Sequence, residues 1–238
     1  MGKMDEMVLT FASTAVEPYG LTGKTGFHLG GHLDFLESKP YLDSIAFVRR
    51  GDAEENESIK QPIPYWIVID PSKQSQPVGE DKILCYVRGK KSGEGRLVSK
   101  TAMGVGGHIS IDDLGGKVKV DDKGRIDPDD ARIAYSVGAL RELNEELRIE
   151  TVFKVAMVGM INDDNSPVGR VHFGFVHVVV PSDPLQVFPN EDDIITKFSW
   201  KTVGELETIR DSLEGWSAIC LDNIVRIIAV AKKIMGEV

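Results

Sequence analysis

Two cysteines, Cys85 and Cys220, are all that the 238 residues contain, and both stand in apolar stretches. That scarcity excludes a disulfide framework and a cysteine-based metal cluster, and it predicts two reduced, buried thiols in a reducing compartment. Long apolar runs are also missing: nothing approaches the roughly twenty residues that a membrane span needs. The stretch MGKMDEMVLTFAS has no apolar segment followed by a small-residue cleavage site, so the expectation is a cytoplasmic protein with no membrane partner. Excess positive charge is the third absence. Asp and Glu outnumber Lys and Arg by 37 to 28, the formal net charge is -9, and no basic patch offsets it, which argues against a nucleic acid polymer as partner. A small polyphosphate still suits an acidic chain, provided that divalent cations stand between its carboxylates and the phosphate oxygens.

What is present is unevenly legible. Residues 1–60 hold a glycine-rich stretch from Gly20 to Gly31, a short apolar segment Tyr41–Val48 and the charged run RRGDAEENESIK, and they read as an extension before the main fold. From Ile63 the pattern sharpens. Tyr65–Ile69 and Ile83–Val87 are β-branched and aromatic runs bounded by turn-formers, and Arg96–Ser99 leads to the cluster Gly104-Val105-Gly106-Gly107. A helix is predicted from about Pro128 to Arg148, then strands over Val152–Ile161 and Val171–Val180 joined by NDDNSPVG. Leu213 to Met235 shows helical apolar spacing at Leu213, Trp216, Ile219, Cys220, Ile224, Ile227 and Ile228. Strands interleaved with helices indicate a layered α/β domain over 61–238.

The helix after Pro128 carries the chemistry. Asp127 is an N-cap candidate, Pro128 suits the first helical position, and Asp129 and Asp130 suit the positive end of the dipole. At about 100° per residue, Ile133, Val137, Leu140, Leu143 and Leu147 gather on one side, read as the core face, while Glu142, Glu145 and Glu146 gather on the other. Carboxylates at i, i+3 and i+4 repel unless they share a divalent cation, and magnesium takes hard oxygen donors while keeping positions for water and phosphate. Arg141 stands four residues before Glu145 and can pair with it. A bare glutamate cluster is more often a solvated face, so the wider pattern decides.

Arg141-Glu142-Leu143-Asn144-Glu145-Glu146-Leu147-Arg148-Ile149 resembles the second half of the Nudix box, Arg-Glu-apolar-any-Glu-Glu-any-Gly-apolar, with the glycine replaced by Arg148. The family's Gly-Gly pair before the helix is matched by Gly106-Gly107-His108, and Trp200–Leu206 with a final helix follows the family's usual order. The resemblance implies an α/β/α sandwich with a mixed sheet. It also implies hydrolysis of a phosphoanhydride bond in a small nucleotide-like diphosphate, with Mg2+ or Mn2+ held by Glu142, Glu145, Glu146 and the Gly106 carbonyl, and with Arg141 orienting the glutamates. Glu191 is a further ligand or base candidate in the acidic loop 191–193.

Two more departures accompany Arg148. The acid that the family has eight residues before the arginine is Ile133 here, and Asp112 or Asp113 are candidates to replace it. Gly107 and Arg141 also stand about twenty residues further apart than the box allows, and GGKVKVDDKGRID in this gap reads as an inserted hairpin, about 110–127. His108 has no evident partner in sequence. A nucleotide sensor without hydrolysis and an interaction module with no metal dependence are the competing classes. Residues 1–60 are candidates for homodimer contacts or for covering the pocket.

Overall fold

The computed structural model describes residues 2–70, 80–89, 100–116, 119–190 and 195–236. Arg96–Ser99 and Glu191 lie outside them. The chain forms two compact units, Met1–Pro64 with Gly107–Glu142 and Gly159–Phe175, and Tyr65–Gly106 with Leu143–Val158 and Val176–Val238. The fold is mixed α/β, a large mixed sheet flanked by helices. Four elements run from one unit into the other: strands β4 (Ile59–Asp70), β8 (Phe153–Asp163) and β9 (His172–Pro181), and helix α4 (Pro128–Glu146).

In the first unit β1 (Met7–Ala12) is antiparallel to β3 (Ala46–Arg49), Met7 facing Arg49, and then to the start of β4, Phe11 facing Lys60. β2 (Thr25–Leu29) pairs with the end of β8, Thr25 facing Asp163. The core is aromatic. Phe11 of β1, Phe35 of α1 (His32–Leu36), Tyr41 of α2 (Lys39–Leu42) and Phe173 of β9 pack with ring centroids 5.1 to 5.6 Å apart, and Tyr135 of α4 meets Phe175 edge-on at 5.4 Å. Residues 2–64 therefore share a core with α4 and β9. Their elements are short and broken by glycine, which hides their periodicity in sequence.

In the second unit β5 (Lys82–Arg88) pairs antiparallel with the end of β4, with β6 (Thr101–Ala102) and with β11 (Ile195–Thr202). β7 (Leu147–Ile149) pairs with β10 (Val187–Pro189). Thr202 and Glu205 form a capping box that starts α6 (Val203–Thr208). The predicted carboxy-terminal helix is two, α7 (Gly215–Leu221) and α8 (Ile224–Ile234), separated at Asp222–Asn223. Cys85 and Cys220 are buried free thiols, as expected. No helix among the described residues is long and apolar enough to cross a membrane.

Two expectations need correction. Ile133, Val137 and Leu140 do not form the core face of α4; they are 53%, 45% and 46% exposed. The inward face is Ala131, Ala134, Tyr135, Gly138 and Ala139, and Glu142 continues it. Small residues face inward because neighbouring chain comes close: a β-carbon at Gly138 would overlap the carboxylate of Asp113 and meet Ile109. Leu143 and Leu147 are buried as expected, so the assignment fails at Ile133, Val137 and Leu140 and holds at the end of the helix. The insertion 110–127 also forms no self-paired ladder among its described residues. Ser110 caps a 3-10 turn, Ile111–Leu114, and Asp121 gathers the backbone N–H groups of Lys123 and Arg125. Gly124 and Arg125 dock on β3, where Phe47 donates to the Gly124 carbonyl at 2.8 Å and Ala46 bridges to Arg125. β3 offers a better edge than the insertion's own two polar halves.

Candidate active site

α4 begins as expected: Asp127 accepts a hydrogen bond from the Asp129 backbone at 2.9 Å. Glu142, Glu145 and Glu146 occupy its last two turns.

In the first unit Arg141 is the hub. Its guanidinium donates to both carboxylate oxygens of Asp113, at 2.7 and 3.1 Å, to Glu142 at 2.8 Å and to the His108 carbonyl at 2.9 Å. This fork holds Glu142 against the loop, and the hydrogen bonds it gives to Asp113, with Glu142 beside it, keep Arg141 firmly charged. Asp113 is one of the two acids weighed as a replacement ligand. Its side chain is 3% exposed and accepts from Arg141 and from the Ser110 backbone at 2.8 Å, so it positions the arginine. The signal was present in sequence, since Ser110 and Asp113 form a capping box. Gly107 lies directly against Glu142: a β-carbon there would overlap the carboxylate. Only glycine permits that approach.

Glu54, His108 and His172 also converge in this unit. The two Nε2 atoms are 3.1 Å apart, and Glu54 Oε1 is 3.5 and 3.6 Å from them. Burial pushes His108 down to about 4, against the upward pull of Glu54. Burial alone would raise Glu54, yet hydrogen bonds from the two imidazoles hold it below the ordinary carboxylate range. Sequence reading missed this cluster because its members are far apart along the chain.

In the second unit Val105 and Trp66 exchange backbone hydrogen bonds at 2.8 and 3.0 Å, which fixes the strand-like segment leading to Gly106. A β-carbon on Gly104 would overlap the Tyr65 ring. The Tyr86 hydroxyl lies 3.0 Å from the Gly104 carbonyl and 3.4 Å from Glu146 Oε2. Burial, with Glu146 beside it, raises the phenol well above its ordinary range, so it stays a donor. Glu145 is exposed and Glu146 half-buried. The end of α4 shows how the chain manages without the motif's glycine. Asn190 supplies its backbone N–H to the Glu146 carbonyl at 2.9 Å and its side-chain amide to the Asn144 carbonyl at 2.8 Å. Arg148 turns outward to Glu150 at 3.1 Å and over the Phe188 ring at 5.1 Å.

No family model matches the sequence. It is 32% identical over 227 residues to Protein YmaB of Bacillus subtilis (strain 168), a match spanning 93% of this chain and 98% of that protein. Among solved structures, Tm1382, a candidate Nudix hydrolase, superposes with a TM-score of 0.66 at 24% identity, covering 93% of this chain and 99% of its own. A NUDIX hydrolase from Alicyclobacillus acidocaldarius is matched over 70% of this chain and 91% of its own, at a TM-score of 0.46 and 13% identity.

Proposed function

As a member of the YmaB family built on the Nudix fold, this chain is, we propose, a divalent-metal-dependent hydrolase that cuts the phosphoanhydride bond of a small nucleotide-like diphosphate in the cytoplasm. The observation that carries the reading is the contact between Gly107 and Glu142. A loop glycine of the motif is stripped of side chain where the first motif glutamate meets it, and the motif arginine clamps that glutamate in place.

The donors suit Mg2+ or Mn2+. Glu142, Glu145 and Glu146 on successive turns of α4, with the Gly106 carbonyl, offer hard oxygen atoms only. Bound there, the cation would lower the pKa of a water and neutralise charge on the phosphoryl oxygens. The chain's own contribution is positional. Arg141 holds the Glu142 carboxylate with charge-assisted bonds, and Asp113 holds Arg141 from behind. Tyr86 presents its hydroxyl to Glu146. These contacts preset rotamers that would otherwise have to be ordered during turnover. The upstream acid of the family motif has no counterpart at Ile133, which faces outward.

The test is release of phosphate or nucleotide from a panel of nucleoside diphosphate derivatives with Mg2+ or Mn2+, comparing the parent with Glu145→Gln and Glu146→Gln at matched folding. The proposal expects metal-dependent turnover that both variants lose. Nucleotide binding that is indifferent to metal, with no turnover, would make the protein a sensor instead.

A further inference from the structure

The side chains of Glu54, His108 and His172 have no part in the chemistry just proposed. Their donors come from the end of α3 (Arg50–Ala53), from the loop after Gly107 and from the first residue of β9. Two imidazole nitrogens and one carboxylate oxygen make a softer set than the glutamates of α4, one that favours zinc-like transition ions over magnesium.

The geometry is that of a ligand set. Separations of 3.1, 3.5 and 3.6 Å define a triangle whose centre lies about 2 Å from every donor, the usual zinc–nitrogen and zinc–oxygen distance of about 2.0–2.2 Å. His172 Nδ1 is 2.7 Å from the Val168 carbonyl. A carbonyl only accepts, so Nδ1–H is the donor in this bond, and Nε2 is the ring nitrogen that faces His108 and Glu54. Backbone fixation of the distal nitrogen is the usual support of a metal-bound histidine. The Arg141 guanidinium anchors the His108 carbonyl at 2.9 Å. Glu54 keeps 23% of its side chain exposed, which leaves a path for an aqueous ion, while His172 is only 8% exposed.

We infer that Glu54, His108 and His172 form a second cation site, for a transition ion such as Zn2+, distinct from the glutamates of α4. The three protein donors leave at least one coordination position to water. An ion there would pin α3, the loop after Gly107 and the start of β9 to one another.

The test is titration of the full chain with Zn2+ in competition with a chromophoric chelator, so its readout is binding and is independent of turnover. The expected result is one tight equivalent in the parent and in the Glu145→Gln/Glu146→Gln variant, and binding weaker by about tenfold or more in His172→Gln. Glu54→Gln is the second variant, which keeps the shape of a side chain more exposed than that of His172. In the parent, Co2+ should give the intense visible absorption of four- or five-coordinate cobalt. A parent that fails to compete for Zn2+, binding unchanged in both ligand variants, or binding lost with the α4 glutamates would each overturn the assignment. So would a weak six-coordinate cobalt spectrum.

Discussion

Gly107 and Glu142 lie so close that a β-carbon on the glycine would occupy the space of the glutamate's carboxylate. The backbone at Gly107 and the carboxylate of Glu142 therefore lie where no side chain fits between them. Gly107→Ala should displace the carboxylate, lowering metal-dependent kcat about a hundredfold, as misplacement by about 1 Å commonly does. Overpacking should also cost about 1–3 kcal/mol of stability. Thermal denaturation reads the second effect without any substrate, and an alanine variant with the parent's Tm and kcat would show that the contact is slack.

Asp113 is the second lever. Its nearly buried carboxylate takes two hydrogen bonds from Arg141. Asp113→Asn keeps the shape but removes the charge that the guanidinium faces. A loss of about 1–3 kcal/mol is expected, below the full cost of breaking a buried pair because Arg141 is 30% exposed. Urea denaturation gives the number, and a change under about 0.5 kcal/mol would mean that the pair contributes little.

Lys60 tests the first unit away from the glutamates. Its ammonium, with a side chain 3% exposed, donates to Asp164 at 2.9 Å and to the Gly169 and Arg170 carbonyls at 3.1 Å each. Lys60→Met should destabilise by about 2–4 kcal/mol, because it removes the buried cation paired with Asp164 and one donor from each of the Gly169 and Arg170 carbonyls. Chemical denaturation with unchanged m-value is the check; a variant as stable as the parent would show that water replaces the ammonium freely.

Stability should fall in mild acid. Unfolded, His108 takes up a proton near 6.5; folded, burial delays this to about 4. Between those values the unfolded chain holds more protons, so unfolding free energy rises with pH across this window and its contribution is complete above it. The ceiling is about 3 kcal/mol. Denaturation midpoints at pH 4.5 and 7 should differ less in His108→Gln than in the parent. An equal pH dependence in the two proteins would place the effect on other groups.

Local chemistry made much of this legible in advance. The strands 65–69 and 83–87 are found within β4 and β5, because β-branched runs between turn-formers have few alternatives. α4 starts at Pro128 because the aspartate before it caps the free N–H groups. The spacing of Glu142, Glu145 and Glu146 along one helix is also a property of sequence.

Tertiary structure decided what those elements face. Periodicity places Leu143 and Leu147 inside correctly but not Ile133, Val137 and Leu140; along that part of α4 alanine and glycine face inward, because other chain segments approach closely at Gly138. The fold also brought Asp113 to Arg141, Asn190 to the end of α4, and Glu54 to His108 and His172. Each of these contacts joins residues tens of positions apart, and only a packed core fixes such distances; the sequence by itself determined the helix and its carboxylates, while the fold determined what holds them.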